Sequence, residues 1–136
     1  MKKRGFGVGK WNGFGGKLGD GETIKEAAVR ELAEEAGVVA VESDLKEVGQ
    51  IKFFFDTNPE LNQEMSVFFI ETWQGDIQET EEMRPQWFNK DDLPYDTMWV
   101  DDKYWLPTVL GGKKIFAEFH FTNNGEEITK HSIIER

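Results

Sequence analysis

An α/β domain with a mixed sheet is the fold class this sequence predicts, and three features predict it. Ile24, Ala27, Ala28, Leu32 and Ala36 recur at three- and four-residue spacing, the period of a helix with one apolar face. Leu45–Asp56 and Glu64–Trp73, rich in Val, Ile and Phe, flank a turn around Asn58-Pro59 and read as paired strands. Ile115–Phe121 and Ile128–Ile134 flank Asn123-Asn124-Gly125, a hairpin signal. With 136 residues and neither repeat nor linker, a single domain over residues 1–136 is expected.

Taken in order, residues 1–22 are glycine-rich and read as loop, with one short strand around Trp11–Phe14. The helix spans Thr23–Ala36, and Gly37 suits the left-handed residue that follows a helix end. Met83–Asn89 reads as a shorter strand. Asp101–Leu110 reads as a helix or helical turn, which requires Pro107 near its start or at a kink. Trp11, Trp87 and Trp105 are assigned to packing. His120 and His131 have no neighbouring nucleophile or metal-ligand spacing, so both read as structural or solvent-facing.

The chain carries 26 acidic and 16 basic residues, for a net charge of −10. That balance argues against a nucleic-acid polymer as partner, because such binding arrays Lys and Arg against phosphates. An acidic protein that handles phosphates needs a cation between them. The absence of cysteine excludes disulfides and thiolate metal sites. No apolar run is long enough for a membrane span, so a soluble cytoplasmic protein is expected.

Within the first helix, Glu31 stands three and four residues before Glu34 and Glu35, so like charges face each other at a cost of roughly 0.2–0.5 kcal/mol per pair. Glu34 and Glu35 also occupy the last turn, where the helix dipole disfavours carboxylates by about 0.3–1 kcal/mol each. A solvated acidic face explains many Glu-rich helices. A hard divalent cation reverses the balance, because clustered carboxylate oxygens are what Mg²⁺ or Mn²⁺ requires, with a substrate phosphate completing the shell.

Gly16, Glu22, Arg30, Glu31, Leu32, Glu34, Glu35, Gly37 and Val38 match the pattern G-x5-E-x7-R-E-U-x-E-E-x-G-U, where U is a bulky aliphatic residue. This stretch, residues 16–38, resembles the Nudix box. The resemblance implies a Nudix α/β/α sandwich with a mixed β-sheet that cleaves a nucleoside diphosphate linked to another group. It further implies that Glu31, Glu34 and Glu35 bind metal or activate the attacking water, with the Gly15 carbonyl completing the metal site. Whether Glu34 or Glu35 is the base stays open. Arg30, four residues from both Glu26 and Glu34, can hold carboxylates in place or form a surface ion pair, and Glu22 reaches the same cluster.

The resemblance continues through KKRGFGVGKWNGFGGK, VGQIKFFF, EEMRPQWF and MWVDDKYWLP. These segments look like the branch of the family that hydrolyses the oxidised purine nucleotides 8-oxo-dGTP and 2-oxo-dATP to monophosphate and pyrophosphate. On that resemblance Asn12, Trp99, Asp101 and Asp102 recognise the base, Phe6 and Phe53 line its pocket, Lys2 approaches the nucleotide, and Glu82 is a further metal ligand. The chemistry agrees: Trp99 offers a flat face for a purine, and paired carboxylates can read exocyclic amino and ring N–H groups. Asp101 and Asp102 as helix-start residues, and the three aromatics as core, are the structural alternatives.

One departure stands out, because a β-strand region normally precedes the lysine-arginine segment and this sequence opens at its end, so the family's N-terminal strand is expected to be missing. An unpaired neighbouring strand would follow, with dimerisation through the sheet edge as the alternative to a monomer. The rival functional expectations are another Nudix substrate, such as a dinucleoside polyphosphate or nucleotide sugar, and an inactive nucleotide-binding fragment.

Overall fold

The computed structural model describes residues 1–122 and 125–136, so Asn123 and Asn124 of the expected hairpin signal lie outside the described residues. The chain folds as two compact units, Met1–Lys46 with Ile70–Leu93 and Glu47–Phe69 with Pro94–Arg136.

The first unit contains helix α1, Ile24–Ala36. Thr23 and Glu26 close a reciprocal capping box: the Thr23 hydroxyl accepts from the Glu26 N–H, and the Glu26 carboxylate accepts from the Thr23 N–H, each at 3.1 Å. At the other end Gly37 takes φ 72°, a left-handed conformation that strains other residues, and its N–H donates to the Ala33 carbonyl. The chain then turns so that Val39 and Gln74 exchange two backbone hydrogen bonds. Ala27, Ala36, Val38, Ala40, Leu45 and Met83 are the buried apolar residues of this unit. The short strand expected over Trp11–Phe14 is not formed, and of Met83–Asn89 only Met83 pairs, antiparallel to Lys2. Gly13 and Pro85 interrupt these segments, and neither residue supports a regular ladder.

The second unit holds a four-stranded sheet in the order β2-β1-β3-β4, formed by β1 (Lys46–Phe55), β2 (Gln63–Phe69), β3 (Ile115–Thr122) and β4 (Glu127–Glu135). β1 runs parallel to β3 and β3 antiparallel to β4, so the sheet is mixed, as the sequence predicts. Helix α2 spans Asp102–Leu110 with Pro107 in its interior rather than at its start. Pro107 has no N–H to give the Lys103 carbonyl, which removes one hydrogen bond from a short helix whose hold on the core comes from packing.

Strict alternation along β3 buries Ile115, Ala117, Phe119 and Phe121 while Phe116 and Glu118 face out. Val48, Ile51, Phe53 and Phe55 of β1 and Trp105 and Val109 of α2 complete the cluster. Phe53 lies between two rings, 6.2 Å from Phe119 and 5.9 Å from Phe121. No helix among the described residues is long and apolar enough to cross a membrane.

Phe119 is fully buried at the centre of this cluster. Truncating it to alanine should cost about 3–5 kcal/mol in urea denaturation. A loss under about 1 kcal/mol would mean that the ring is not a core element.

Candidate active site

Arg30 organises the acidic residues around α1. Its Nε and Nη2 donate to the two oxygens of Glu22 at 2.8 and 3.0 Å, a bidentate pair. Nη1 donates to Glu31 at 2.8 Å and reaches Glu34 at 3.3 Å, and Nη2 also donates to the Lys17 carbonyl at 2.9 Å. A planar fork with five donors can serve three carboxylates and a loop carbonyl at once, which a lysine ammonium cannot. Glu26, which helical spacing also offers to Arg30, is engaged in the capping box instead. The Arg30 guanidinium, together with the Gly19 N–H, holds the Glu22 carboxyl below its usual range.

The loop before the helix is pinned to the same carboxylates. Gly15 N–H donates to Glu35 Oε1 at 2.7 Å. Gly16 lies so close that a Cβ there would fall 2.3 Å from Glu31 Cδ, so any other residue would push the Glu31 carboxylate aside. Glu31, Glu35 and Glu82 converge, each offering one carboxylate oxygen within 4.8 Å of the others. Glu34 is not in this group; it is exposed and faces Arg30. Glu82 also accepts from Arg4 at 3.3 Å.

Glu35 is buried, and its carboxyl is pushed up to about 7. Burial is the largest cause; the Glu31 and Glu82 charges add to it, against the Gly15 N–H and the Lys2 charge. Three hard oxygen donors converging on one point, one of them in a state that strongly disfavours its own charge, form a set that fits a divalent cation.

The NUDIX domain profile matches residues 1–109. The chain belongs to the Nudix family. It is 45% identical to an oxidized purine nucleoside triphosphate hydrolase of Danio rerio, over 99% of this chain and 84% of that one. A protein of the same name from Mus musculus is 47% identical over the same shares. Among solved structures, the mutator MutT protein of Bacillus halodurans superposes with a TM-score of 0.80 at 25% identity, over 92% of this chain and 82% of that one.

The remaining candidate residues of this Nudix chain divide between the units. Lys2, Phe6 and Asn12 belong to the first, where Phe6 is exposed and the Asn12 Oδ1 is a buried acceptor without a hydrogen-bond partner. In the second, Phe53 sits in the core and Trp99 meets Phe121 edge-on, with ring centroids 6.4 Å apart. Asp101 and Asp102 are both buried at the start of α2, and Asp101 makes no side-chain capping hydrogen bond. It accepts from Trp105 Nε1 at 2.7 Å instead. Burial raises both carboxyls, and the neighbouring Asp101 charge carries Asp102 further, to about 8. Burial and mutual repulsion thus favour a proton retained within the pair.

Trp105 is thus more than packing: it lies one turn after Asp101, a helical spacing visible in the sequence, and its indole N–H orients that carboxylate. Trp87 is 73% exposed, and its stacking on Trp73 at 5.9 Å does not bury it. That corrects its assignment to packing.

Because the folded chain holds the Asp102 proton that the unfolded chain releases near pH 4, stability falls as pH rises from there through about 8. Asp102→Asn, neutral at every pH, should remove this slope. Relative to the parent it should gain at least about 1 kcal/mol between pH 5 and pH 9 in urea titrations. Parallel curves for the two proteins would show that Asp102 is ordinary.

Proposed function

We propose that this Nudix protein hydrolyses oxidised purine nucleoside triphosphates such as 8-oxo-dGTP and 2-oxo-dATP to the monophosphate and pyrophosphate. The observation that carries the reading is the convergence of Glu31, Glu35 and Glu82 beside the Nudix helix. The names of the two relatives, at 45% and 47% identity, support the substrate class. The cation is taken to be Mg²⁺, with Mn²⁺ as its substitute; the protein is read as a cytoplasmic monomer.

Glu31, Glu35 and Glu82 would hold the cation, with the Gly15 carbonyl as a further donor. When bound it supplies charge neutralisation on the phosphate oxygens and a more acidic water. The protein's own residues do the rest. Arg30 fixes Glu31 and Glu34 through one guanidinium and ties the loop to the helix through Glu22 and the Lys17 carbonyl. A carboxylate of the helix then receives a proton from the attacking water. Of the two candidates, Glu35 lies within the cluster and Glu34 outside it.

The base would be read by the second carboxyl pair. With one proton held between Asp101 and Asp102, the ionised carboxyl accepts from an N–H or amino group and the protonated one donates to a ring nitrogen or carbonyl. Trp99 offers the stacking face. Phe53 would line the pocket of the second unit, and Lys2 would approach the phosphates in the first.

Pyrophosphate release from 8-oxo-dGTP, 2-oxo-dATP, dGTP, ADP-ribose and a dinucleoside polyphosphate in Mg²⁺ tests the reading. The oxidised triphosphates should lead in kcat/KM. A leading dinucleoside polyphosphate or ADP-ribose would replace the substrate class, and binding without turnover would make the protein a nucleotide-binding module.

In the same assay Glu35→Gln should lose about 10²–10⁴-fold in kcat, and Glu34→Gln about tenfold or less. The reverse order would assign the base to Glu34.

A further inference from the structure

Glu31 and Glu35 are held apart by the helix they share, but Glu82 arrives from a separate segment with no regular secondary structure. Something must fix its position relative to α1. The segment does so by capping the helix: Gln78 N–H donates to the Ala36 carbonyl at 2.8 Å, and the Thr80 hydroxyl donates to the Glu35 carbonyl at 2.9 Å. Both carbonyls belong to the last turn, where no intrahelical N–H remains to satisfy them.

The same hydroxyl works in the other direction. Thr80 Oγ1 accepts from the Glu82 N–H at 3.3 Å and from the Met83 N–H at 3.2 Å, and Thr80 N–H donates to the Met83 carbonyl at 3.0 Å. A hydroxyl has one proton to give and two lone pairs to receive, and all are used here. One atom thereby joins the backbone of Glu35 to the backbone of Glu82. Neighbouring bonds hold the turn from behind: Lys3 Nζ donates to the Thr80 carbonyl at 2.8 Å and Lys3 N–H to the Glu82 carbonyl at 2.9 Å.

We propose that Thr80 is a positioning residue for the cation site: its hydroxyl sets the separation of the Glu35 and Glu82 carboxylates. It touches neither the cation nor the substrate. The proposal rests on the reading of Glu31, Glu35 and Glu82 as cation ligands. Groups that orient metal ligands without binding the metal are typically worth about 10–100-fold in metal affinity.

The test is direct Mn²⁺ binding to the full chain, by calorimetry and by loss of the free Mn²⁺ EPR signal, on the parent and on Thr80→Val, Thr80→Ala and Thr80→Ser. Valine keeps the shape and removes the hydroxyl; serine restores it. Valine and alanine should bind Mn²⁺ about tenfold more weakly or worse while still melting cooperatively without metal, and serine should bind within about twofold of the parent. The Mg²⁺ concentration for half-maximal hydrolysis should move upward by a similar factor in the first two variants. Parent-like Mn²⁺ affinity in valine and alanine would overturn the proposal and leave the cation site intact. Equal weakening in serine, or loss of a cooperative melt in both valine and alanine, would also overturn it, by making Thr80 a requirement of shape or fold. If the parent itself binds no Mn²⁺, the cation reading fails first and the proposal with it.

Discussion

Mutual repulsion of carboxylates near the end of α1 is the constraint around which the first unit is built. Glu31, Glu35 and Glu82 lie within one ion's reach of one another, and Glu35 does so while buried. Each element nearby either tolerates that crowding or offsets it. Gly15 and Gly16 bring backbone rather than side chain against the cluster, and Gly15 turns its N–H to Glu35. Arg30 places a delocalised cation between Glu22, Glu31 and Glu34. What these contacts leave unneutralised is Glu35 itself, whose carboxyl holds its proton up to about 7. A protein selected for stability alone would replace such a residue, so its presence argues for use.

The second unit repeats the theme with a different solution. Asp101 and Asp102 are buried side by side and are kept compatible by a retained proton and by the Trp105 indole. The first cluster gathers three carboxylates from a helix and a separate segment, a set that suits a cation; the second buries two neighbouring carboxyls on one short helix start. A carboxylate's environment, more than its identity, sets what each cluster can do.

What could be read in advance follows the range of the interactions. Thr23–Ala36 and its glycine stop were legible because caps and apolar period are local, and the strands β1, β3 and β4 because Val, Ile and Phe content and a flanking turn signal are local too. Glu31, Glu34 and Glu35 drew notice by breaking the helix rules of charge. The division between them was not legible, since whether Glu34 joins Glu35 or Arg30 depends on which side the loop and the segment around Glu82 approach. Thr80 left no mark in the sequence, because its partner carbonyl lies 45 residues away and a backbone acceptor has no side-chain signature. Trp11–Phe14 and Met83–Asn89 were misread as strands because aromatic residues favour strands only when a ladder partner is present.

The central claim is that the carboxylates near the end of α1 are arranged for a cation at the expense of the metal-free fold. Glu35→Gln keeps the shape and the acceptor for Gly15 while removing one charge, so its thermal unfolding with EDTA and with Mg²⁺ tests the claim directly. The account predicts that the variant melts higher than the parent in EDTA and loses the parent's further rise in Mg²⁺. A variant that melts lower in EDTA and still rises with Mg²⁺ like the parent would contradict it.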